Sequence, residues 1–185
     1  TESLGRFSIS QGNIKERFMS AVVNPEKFLV RDMGDDDLDR VIAIEKNSYQ
    51  YPWSEKIFRD CLASKYFCLV AELDNCLVAY CIISMAAGEG HILNVCVCPN
   101  HRNQKIAQRL IEFAIQNFVD KTVELLFLEV RVSNLAAQKL YKNLGFEKVG
   151  QRVNYYPASW GRENAYIFML KFRRNKNKPS FDLII

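Results

Sequence analysis

The sequence LEVRVSNLAAQKLYKNLGF, at residues 128–146, carries the strongest structural pattern in the chain. It begins inside Val123–Val130, a nearly continuous apolar run that predicts a strand buried on both faces. Asn134 and the serine before it cap a short helix, which Gly145 stops. Phe146–Val153 predicts the next strand. A strand, a helix and a strand in this order predict parallel pairing of the two strands.

A similar strand and helix lie upstream of this stretch. Ile92–Val97 predicts a strand that ends before Pro99, and residues 104–119 form the clearest predicted helix. Seven apolar residues keep the helical period of about 3.6 residues on one face of that helix. They are Ile106, Leu110, Ile111, Ala114, Ile115, Phe118 and Val119.

The remaining strands flank these units. Tyr66–Glu72 and Leu77–Met85 predict two strands, and the Asp74-Asn75 pair between them has the composition of a hairpin turn. Phe28–Arg31 predicts a first short strand, and Tyr166–Phe172 predicts the last one. The predicted strands therefore extend from residue 28 to residue 172.

Two further helices are predicted between the first strand and the hairpin. Three aspartates at 35–37 begin a helix that runs to about Ser48. Ser54 is the expected N-cap of the second helix. The side chains expected on its buried face are Ile57, Phe58, Cys61 and Leu62.

The elements predict one α/β (α+β) domain at residues 27–172 with the order β-α-α-β-β-β-α-β-α-β-β. A mixed, mostly antiparallel sheet of about six to seven strands would carry about four helices on its faces. Residues 1–26 form a predicted N-terminal extension, with a helix expected around Ile14–Val22, and residues 173–185 form a basic C-terminal tail.

Composition excludes several classes of protein. The chain has 185 residues, of which 49% are hydrophobic and 25% charged, as in an average globular domain. A net charge of +4 is too small to indicate nucleic-acid binding, and no run of about 18 apolar residues predicts a membrane helix. Six cysteines without a C-x-x-C pair, and only two histidines, predict reduced thiols in a cytoplasmic protein and no metal site.

The turn between Val97 and Ala107 is the first candidate binding site. A strand, a polar turn and a helix start would expose unpaired N–H groups and the positive end of the helix dipole. Arg102 and Lys105 add positive charge, so the turn could bind a phosphate group. The alternative is a capped turn with solvated basic residues.

This turn resembles the acetyl-CoA loop of the GNAT N-acetyltransferases, whose pattern is Arg/Gln-x-x-Gly-x-Gly/Ala. Here Arg102-x-x-Lys105-x-Ala107 matches, with lysine in place of the usual glycine. The stretch at 128–146 resembles the second half of the same domain. Tyr51–Glu55 and Asn154–Pro157 narrow the resemblance to members that acetylate the N-terminal alanine of small-subunit ribosomal protein number eighteen. Together the four blocks cover about residues 28–171.

The resemblance implies a GNAT fold and direct transfer of an acetyl group from acetyl-CoA to a protein N-terminal α-amine in a ternary complex. It also implies a set of residues that hold acetyl-CoA, among which the backbone near Val95 or Cys96 would polarise the thioester carbonyl. This set is Val95, Cys96, Val97, Arg102, Asn103, Gln104, Lys105, Ile106, Ala107, Asn134 and Tyr141. We expect a monomer or weak dimer that contacts neither nucleic acid nor membrane directly.

Two residues are the candidates for proton transfer. The resemblance makes Glu129 the general base, acting directly or through a water, and Tyr141 the donor to the departing thiolate. By residue type alone, Glu129 could be a strand-end carboxylate paired with Arg131 or Lys139, and Tyr141 a core residue. Asn134 could likewise be a simple N-cap. An α-amine, with a pKa near 8, needs less help to lose its proton than lysine does.

For the residues that would contact the acceptor peptide, the sequence leaves two interpretations open. Glu45 lies on an apolar stripe, so it either faces the peptide channel or is an exposed helix-end residue. Trp53, Tyr155 and Tyr156 are expected in loops around the peptide, or as aromatic anchors for those loops.

Three alternatives stay open on the sequence. Cys96 or Cys98 could be a nucleophile in an acyl-enzyme route. The acceptor could be a lysine side chain or a small amine, because the fold does not define it. Lys105 in place of glycine could indicate a weakly active module that binds acyl-CoA and a partner.

Overall fold

The computed structural model describes residues 27–118 and 123–172. Within them the element order is the predicted one. The strands are β1 (Phe28–Asp32), β2 (Phe67–Leu73), β3 (Cys76–Ala86), β4 (Glu89–Val97), β5 (Leu125–Arg131), β6 (Glu147–Ala158) and β7 (Gly161–Lys171). The helices are α1 (Leu38–Ser48), α2 (Glu55–Ala63), α3 (Ile106–Phe118) and α4 (Leu135–Asn143). The predicted extensions at 1–26 and 173–185, and Val119, lie outside the described residues.

The strands of the described region form one seven-stranded sheet in the order β1-β2-β3-β4-β5-β7-β6. Its one parallel pair is β4 with β5, so the predicted mixed, mostly antiparallel sheet is confirmed. The predicted parallel pairing of the strands before and after α4 is wrong, because β7 lies between them. Residues 159–160 turn the chain back so that Ala165 pairs with Arg131 on one side and Arg152 on the other.

Two apolar cores lie on opposite faces of the sheet. The larger core packs α3 and α4 against the sheet through residues such as Leu110 and Leu128. The smaller core packs α1 and α2 against β2, β3 and β4, and no residue of β5, β6 or β7 belongs to it. Alternate residues of β5 are therefore only half-buried, and the prediction that this strand is buried on both faces is wrong. Among the described residues, no helix has the length and apolar character needed to cross a membrane.

The predicted hairpin turn is confirmed, whereas the predicted cap and buried face of α2 are only partly correct. Asp74 and Asn75 have φ angles of 49° and 66°, the left-handed pair of a two-residue hairpin turn. Ser54 precedes α2 in an extended conformation, but its side chain makes no capping hydrogen bond. Phe58 is fully buried, whereas Ile57 is exposed because that side of α2 faces away from the sheet.

The aspartates before α1 do more than cap a helix. Residues 35–37 form a 3-10 turn, and Asp37 is buried beneath it. The Asp37 carboxylate accepts two hydrogen bonds from Arg31, at 2.6 and 2.8 Å, one from Arg40 at 2.6 Å and one from the Gly34 N–H at 2.9 Å. The hydrogen bonds from Arg31 lower the pKa of Asp37 to about 2, against the desolvation that raises it.

Replacing Asp37 with Asn is expected to lower the free energy of unfolding by about 2 kcal/mol at neutral pH. The folded-state pKa of Asp37 is depressed, so its contribution is present above the ordinary value of 3.8 and is lost as pH falls towards about 2. Urea unfolding of both proteins across this window checks the result. Asp36→Asn is the matched control, since Asp36 is exposed. A wild-type advantage that does not shrink at low pH would contradict the assignment.

Candidate active site

A gap opens in the sheet between β4 and β5. The two strands pair from Glu89 with Leu125 to Ile92 with Leu128, and then separate. The register between β3 and β4 shifts at the same point, which leaves Leu93 as an extra residue in β4. Such a bulge bends its strand, and here it directs β4 away from β5. The result is a cleft whose wall is the second half of β4.

The backbone of β4 presents every second residue to this gap. The Cys98 N–H donates to the Val78 carbonyl of β3 at 2.8 Å. In an antiparallel ladder the backbone direction alternates, so Cys96 also faces β3, while Val95 and Val97 face the gap. Of the strands that the structure describes, none pairs with β4 on this side beyond Ile92.

The two backbone carbonyl groups on this wall already accept hydrogen bonds from side chains. The Tyr49 hydroxyl donates to the Val95 carbonyl at 3.1 Å, and Arg102 Nε donates to the Val97 carbonyl at 3.3 Å. The N–H groups of Val95 and Val97 have no acceptor within the described part of the chain. The wall therefore offers free donors, which suit a thioester carbonyl or the amide carbonyls of a pantetheine arm.

The turn that follows β4 offers more donors. After a 3-10 turn at Pro99–His101, the chain enters α3 at Ile106. The Arg109 N–H bonds to the Lys105 carbonyl at 3.0 Å, so the N–H groups of the first turn before it have no helical acceptor. Arg102 and Lys105 are exposed beside them. These residues fit a pyrophosphate group, as the resemblance implies.

Lys105 has a φ of +59°, the left-handed conformation. This explains why the family pattern has glycine there, since a residue with a Cβ is strained at this φ by about 1–2 kcal/mol. Asn103, two residues earlier, is also left-handed, with a φ of +64°. The backbone thus keeps the loop conformation that glycine would favour, and the lysine adds an exposed charge.

We expect Lys105→Gly to be about 1 kcal/mol more stable than Lys105→Ala, because only glycine removes the strain. Both variants lack the ammonium group, so both should bind acetyl-CoA more weakly than the wild type and by the same factor. That factor should be larger at low salt, where charges are screened less. Urea unfolding and calorimetry with acetyl-CoA measure the two effects separately. Equal stability of the two variants would show that the left-handed backbone carries no strain.

Glu129 lies on β5 at the level where β4 has separated. Its side chain is only 14% exposed, and one carboxylate oxygen accepts a hydrogen bond from Arg152 Nε at 2.9 Å. The Tyr156 hydroxyl donates to the backbone carbonyl of Glu129 at 3.0 Å. The predicted alternatives named the wrong partner, because Arg131 instead pairs with Glu163. Arg152 could not be predicted as the partner of Glu129 from local sequence, because the two residues are 23 positions apart.

Tyr141 lies on the other side of the sheet from Glu129. It belongs to the core under α3 and α4, where its ring packs against Phe146 and Phe168. Its hydroxyl makes no hydrogen bond to a described residue. Burial raises the pKa of Tyr141 well above its ordinary value, so the phenol keeps its proton at neutral pH. Leu128 and Val130 point into the same core as Tyr141, and neighbouring side chains of a strand alternate in direction, so Glu129 points to the opposite face of the sheet.

Asn134 caps α4, since its side-chain oxygen accepts a hydrogen bond from the Ala137 N–H at 3.1 Å. The capping alternative is therefore confirmed. The Asn134 amide group keeps its N–H donors, so a contact with pantetheine stays a prediction.

Glu45 is buried, with 1% of its surface exposed, so the exposed helix-end alternative is wrong. Its two oxygens accept hydrogen bonds from the Trp53 N–H, at 2.8 Å, and from the Tyr80 hydroxyl. Asn94 Nδ2 lies 3.5 Å away. Glu45 thus ties α1, the loop before α2 and the sheet together, and its carboxylate is not open to a peptide.

The aromatic candidates divide between a loop and a strand. Trp53 lies in the loop before α2, and its ring packs against Phe58 with centroids 5.6 Å apart, as a loop anchor would. Tyr155 and Tyr156 were expected in a loop, but both lie in β6. They follow an irregular stretch in which the pairing with β7 jumps between Arg152 and Tyr156.

A cleft of about 220 Å³ lies between the segment after α1 and the turn from β6 to β7. Sequence reasoning missed most of its lining, because these residues come from four separate segments. The aromatic and charged members are Tyr49, Tyr51, Arg131, Trp160 and Glu163. The signal that the sequence offered was the presence of aromatic residues beside polar ones at 49–51 and 159–160. Tyr49 connects this cleft to the wall of β4.

The cysteine alternative loses support. Cys96 is buried, and desolvation raises the pKa of its thiol, which disfavours a nucleophilic thiolate. His91 stacks on Phe127, and His101 follows Cys98 in the 3-10 turn. Within 27–118 and 123–172, no three His, Cys, Asp or Glu side chains group as metal ligands would.

Comparison with known proteins agrees with this geometry. Residues 38–146 match the model of the acetyltransferase (GNAT) family. The chain belongs to that family and is an acyltransferase by class.

Within the family, the chain is similar to enzymes that modify a ribosomal protein. It is 35% identical, over 72% of its length and 90% of the relative's, to the [ribosomal protein bS18]-alanine N-acetyltransferase of Escherichia coli. A putative enzyme of the same name from Bacillus subtilis is 37% identical over 70% of this chain and 87% of its own. The crystal structure of the Escherichia coli ribosomal-protein-S18-alanine N-acetyltransferase superposes with a TM-score of 0.77 at 31% identity. That match covers 82% of this chain and 99% of that one. The predicted resemblance to this branch of the family is confirmed.

Proposed function

We propose that this protein transfers the acetyl group of acetyl-CoA to a protein N-terminal α-amine, with the N-terminal alanine of ribosomal protein bS18 as its acceptor. The observation that carries the proposal is the gap between β4 and β5. It has free N–H donors on one wall, a carboxylate on one side and a buried phenol on the other. The relatives named for this acceptor support the choice of substrate.

Groups of the chain itself would bind acetyl-CoA. The turn at 102–106 and the start of α3 would hold the pyrophosphate through N–H groups and the charges of Arg102 and Lys105. The pantetheine arm would lie along Val95 and Val97 as an added strand would. One of these N–H groups would then donate to the thioester oxygen, where negative charge develops in the transition state.

Two proton movements complete the reaction. Glu129, on the side of the sheet that α1 and α2 occupy, would take the proton from the attacking amine, directly or through a water. Tyr141, on the side of α3 and α4, would donate its proton to the departing sulfur. Acceptor and acetyl donor would thus enter from opposite faces of the sheet, which keeps the base and the acid apart. The cleft beside Tyr49 would receive the residues that follow the acceptor's first one.

The test is mass spectrometry of a synthetic peptide with the N-terminal sequence of bS18, incubated with enzyme and acetyl-CoA. We expect one added acetyl group, located on the α-amine by fragmentation. A peptide blocked at its α-amine but with free lysines is the control and should stay unmodified. Acetylated lysine in either peptide would favour the lysine alternative.

Binding and chemistry can be separated in the same samples. Calorimetry measures acetyl-CoA binding without an acceptor. Acetyl-CoA at about 100 times its Kd should stabilise the fold by about 2.7 kcal/mol. Binding without acetylation of the peptide would leave a binding module, or an enzyme for small amines, as the better account. Absence of binding would overturn the proposal.

A further inference from the structure

Arg152 contacts Glu129 across an intervening strand. Arg152 lies on β6 and Glu129 on β5, and β7 runs between these strands. Two strand spacings amount to about 9–10 Å, a span that a long guanidinium side chain can cross. The residue paired with Arg152 on β7 is Ala165, whose methyl group leaves room for the arginine to lie across it. The 2.9 Å hydrogen bond to Glu129 results from this arrangement.

The irregular stretch of β6 supports the same contact. Between Arg152 and Tyr156, β6 has three residues opposite one on β7. Asn154, within this stretch, has a φ of +52°, and its N–H bonds to the Asn164 side chain at 2.8 Å. The extra residues let both Arg152 and Tyr156 reach the same residue of β5. Tyr156 holds the Glu129 backbone, and Arg152 holds its carboxylate.

We propose that Arg152 is a positioning residue for the reaction, acting through Glu129. This inference rests on the proposed function, because it assumes that Glu129 receives the amine proton. Arg152 holds Oε1, which directs the free Oε2 towards the acceptor. Oε2 makes no hydrogen bond to another described residue.

The guanidinium charge has a second effect. A lone carboxylate attracts an α-ammonium ion, which is the unreactive form of the acceptor. A paired carboxylate attracts it less, because the positive charge of Arg152 lies beside it. Arg152 therefore favours binding of the neutral, nucleophilic amine. Arg131 and Glu163, two charged residues of the same region, pair with each other at 3.2 Å, and the Arg131 guanidinium carbon lies 4.4 Å from the centroid of the Tyr156 ring.

The test is a kinetic double-mutant cycle with Arg152→Gln, Glu129→Gln and the double variant, assayed on the bS18 peptide. Arg152→Gln should lower kcat by about 10-fold or more in the wild-type background, with little change in the Kd for acetyl-CoA. In the Glu129→Gln background the same change should cost less than about 2-fold, because coupled residues are not additive. Arg152→Lys should recover part of the loss.

Arg59→Gln is the matched control. Arg59 lies on α2 with a side chain as exposed as that of Arg152, and its guanidinium group pairs with Glu55 at 2.6 Å. Its effect should be small and the same in both backgrounds. If the loss from Arg152→Gln is also equal in both, or absent, the inference is overturned while the proposed function stands. A wild-type protein that binds acetyl-CoA but leaves the peptide unmodified would instead reject the proposed function, and the inference with it.

Discussion

Replacing Glu129 with Gln is expected to lower kcat on the bS18 peptide by about 100-fold near pH 7, the scale of one general base. Gln keeps the size of the side chain and an oxygen that can accept from Arg152, which now donates at 2.9 Å. The loss therefore reports the proton acceptor rather than a collapsed site. Part of the activity should return as pH rises towards about 8, because more α-amine then arrives without its proton.

The measurement is initial rate against pH, with acetyl-CoA affinity followed by calorimetry. Glu147→Gln is the control, because Glu147 is an exposed carboxylate at the start of β6. A Glu129→Gln enzyme with the wild-type rate at neutral pH would remove Glu129 as the base. Glu45 would not replace it, since its oxygens are buried and already accept hydrogen bonds from Trp53 and Tyr80.

Replacing Tyr141 with Phe should also lower kcat by about 100-fold, but without recovery at higher pH. The ring would keep its contacts with Phe146 and Phe168, so stability should change little. What is lost is the proton for the sulfur, and raising the pH cannot supply it. Burial already raises the pKa of this phenol, so wild-type Tyr141 stays a proton donor across the assay range.

The same pH series on the two variants separates base from acid. Tyr66→Phe serves as the control, because Tyr66 is exposed and precedes β2. If Tyr141→Phe kept the wild-type rate, Tyr141 would be a core residue and water would have to protonate the sulfur. If it lost acetyl-CoA affinity as much as kcat, its hydroxyl would serve binding of the cofactor instead of proton transfer.

Local sequence patterns were sufficient for the order of the elements. Apolar periodicity and turn composition act over a few residues, so the helix at 106–118 and the Asp74-Asn75 hairpin could be recognised without knowledge of the fold. The loop at 102–107 and the stretch at 128–146 were likewise sufficient for the family, because each contains its residues at fixed spacing.

Contacts between distant segments had to come from the tertiary structure. The strand that lies beside β5 is β7 and not β6, because the chain turns back at residues 159–160 and β7 pairs with both of these strands. The exposure of Glu45 could not be read from its helix, because its hydrogen-bond donors, Trp53 and Tyr80, come from a loop and from β3.

The candidate site divides in the same way. Glu129 and Tyr141 could be named from one continuous stretch, since both lie within residues 128–146. The sequence did not indicate that the sheet separates these two residues. It also did not indicate that Arg152 contacts Glu129 across β7, or that the Tyr49 hydroxyl donates to the Val95 carbonyl. These contacts join residues 23 to 46 positions apart, and their energies are realised only when the strands have paired, so no local pattern records them.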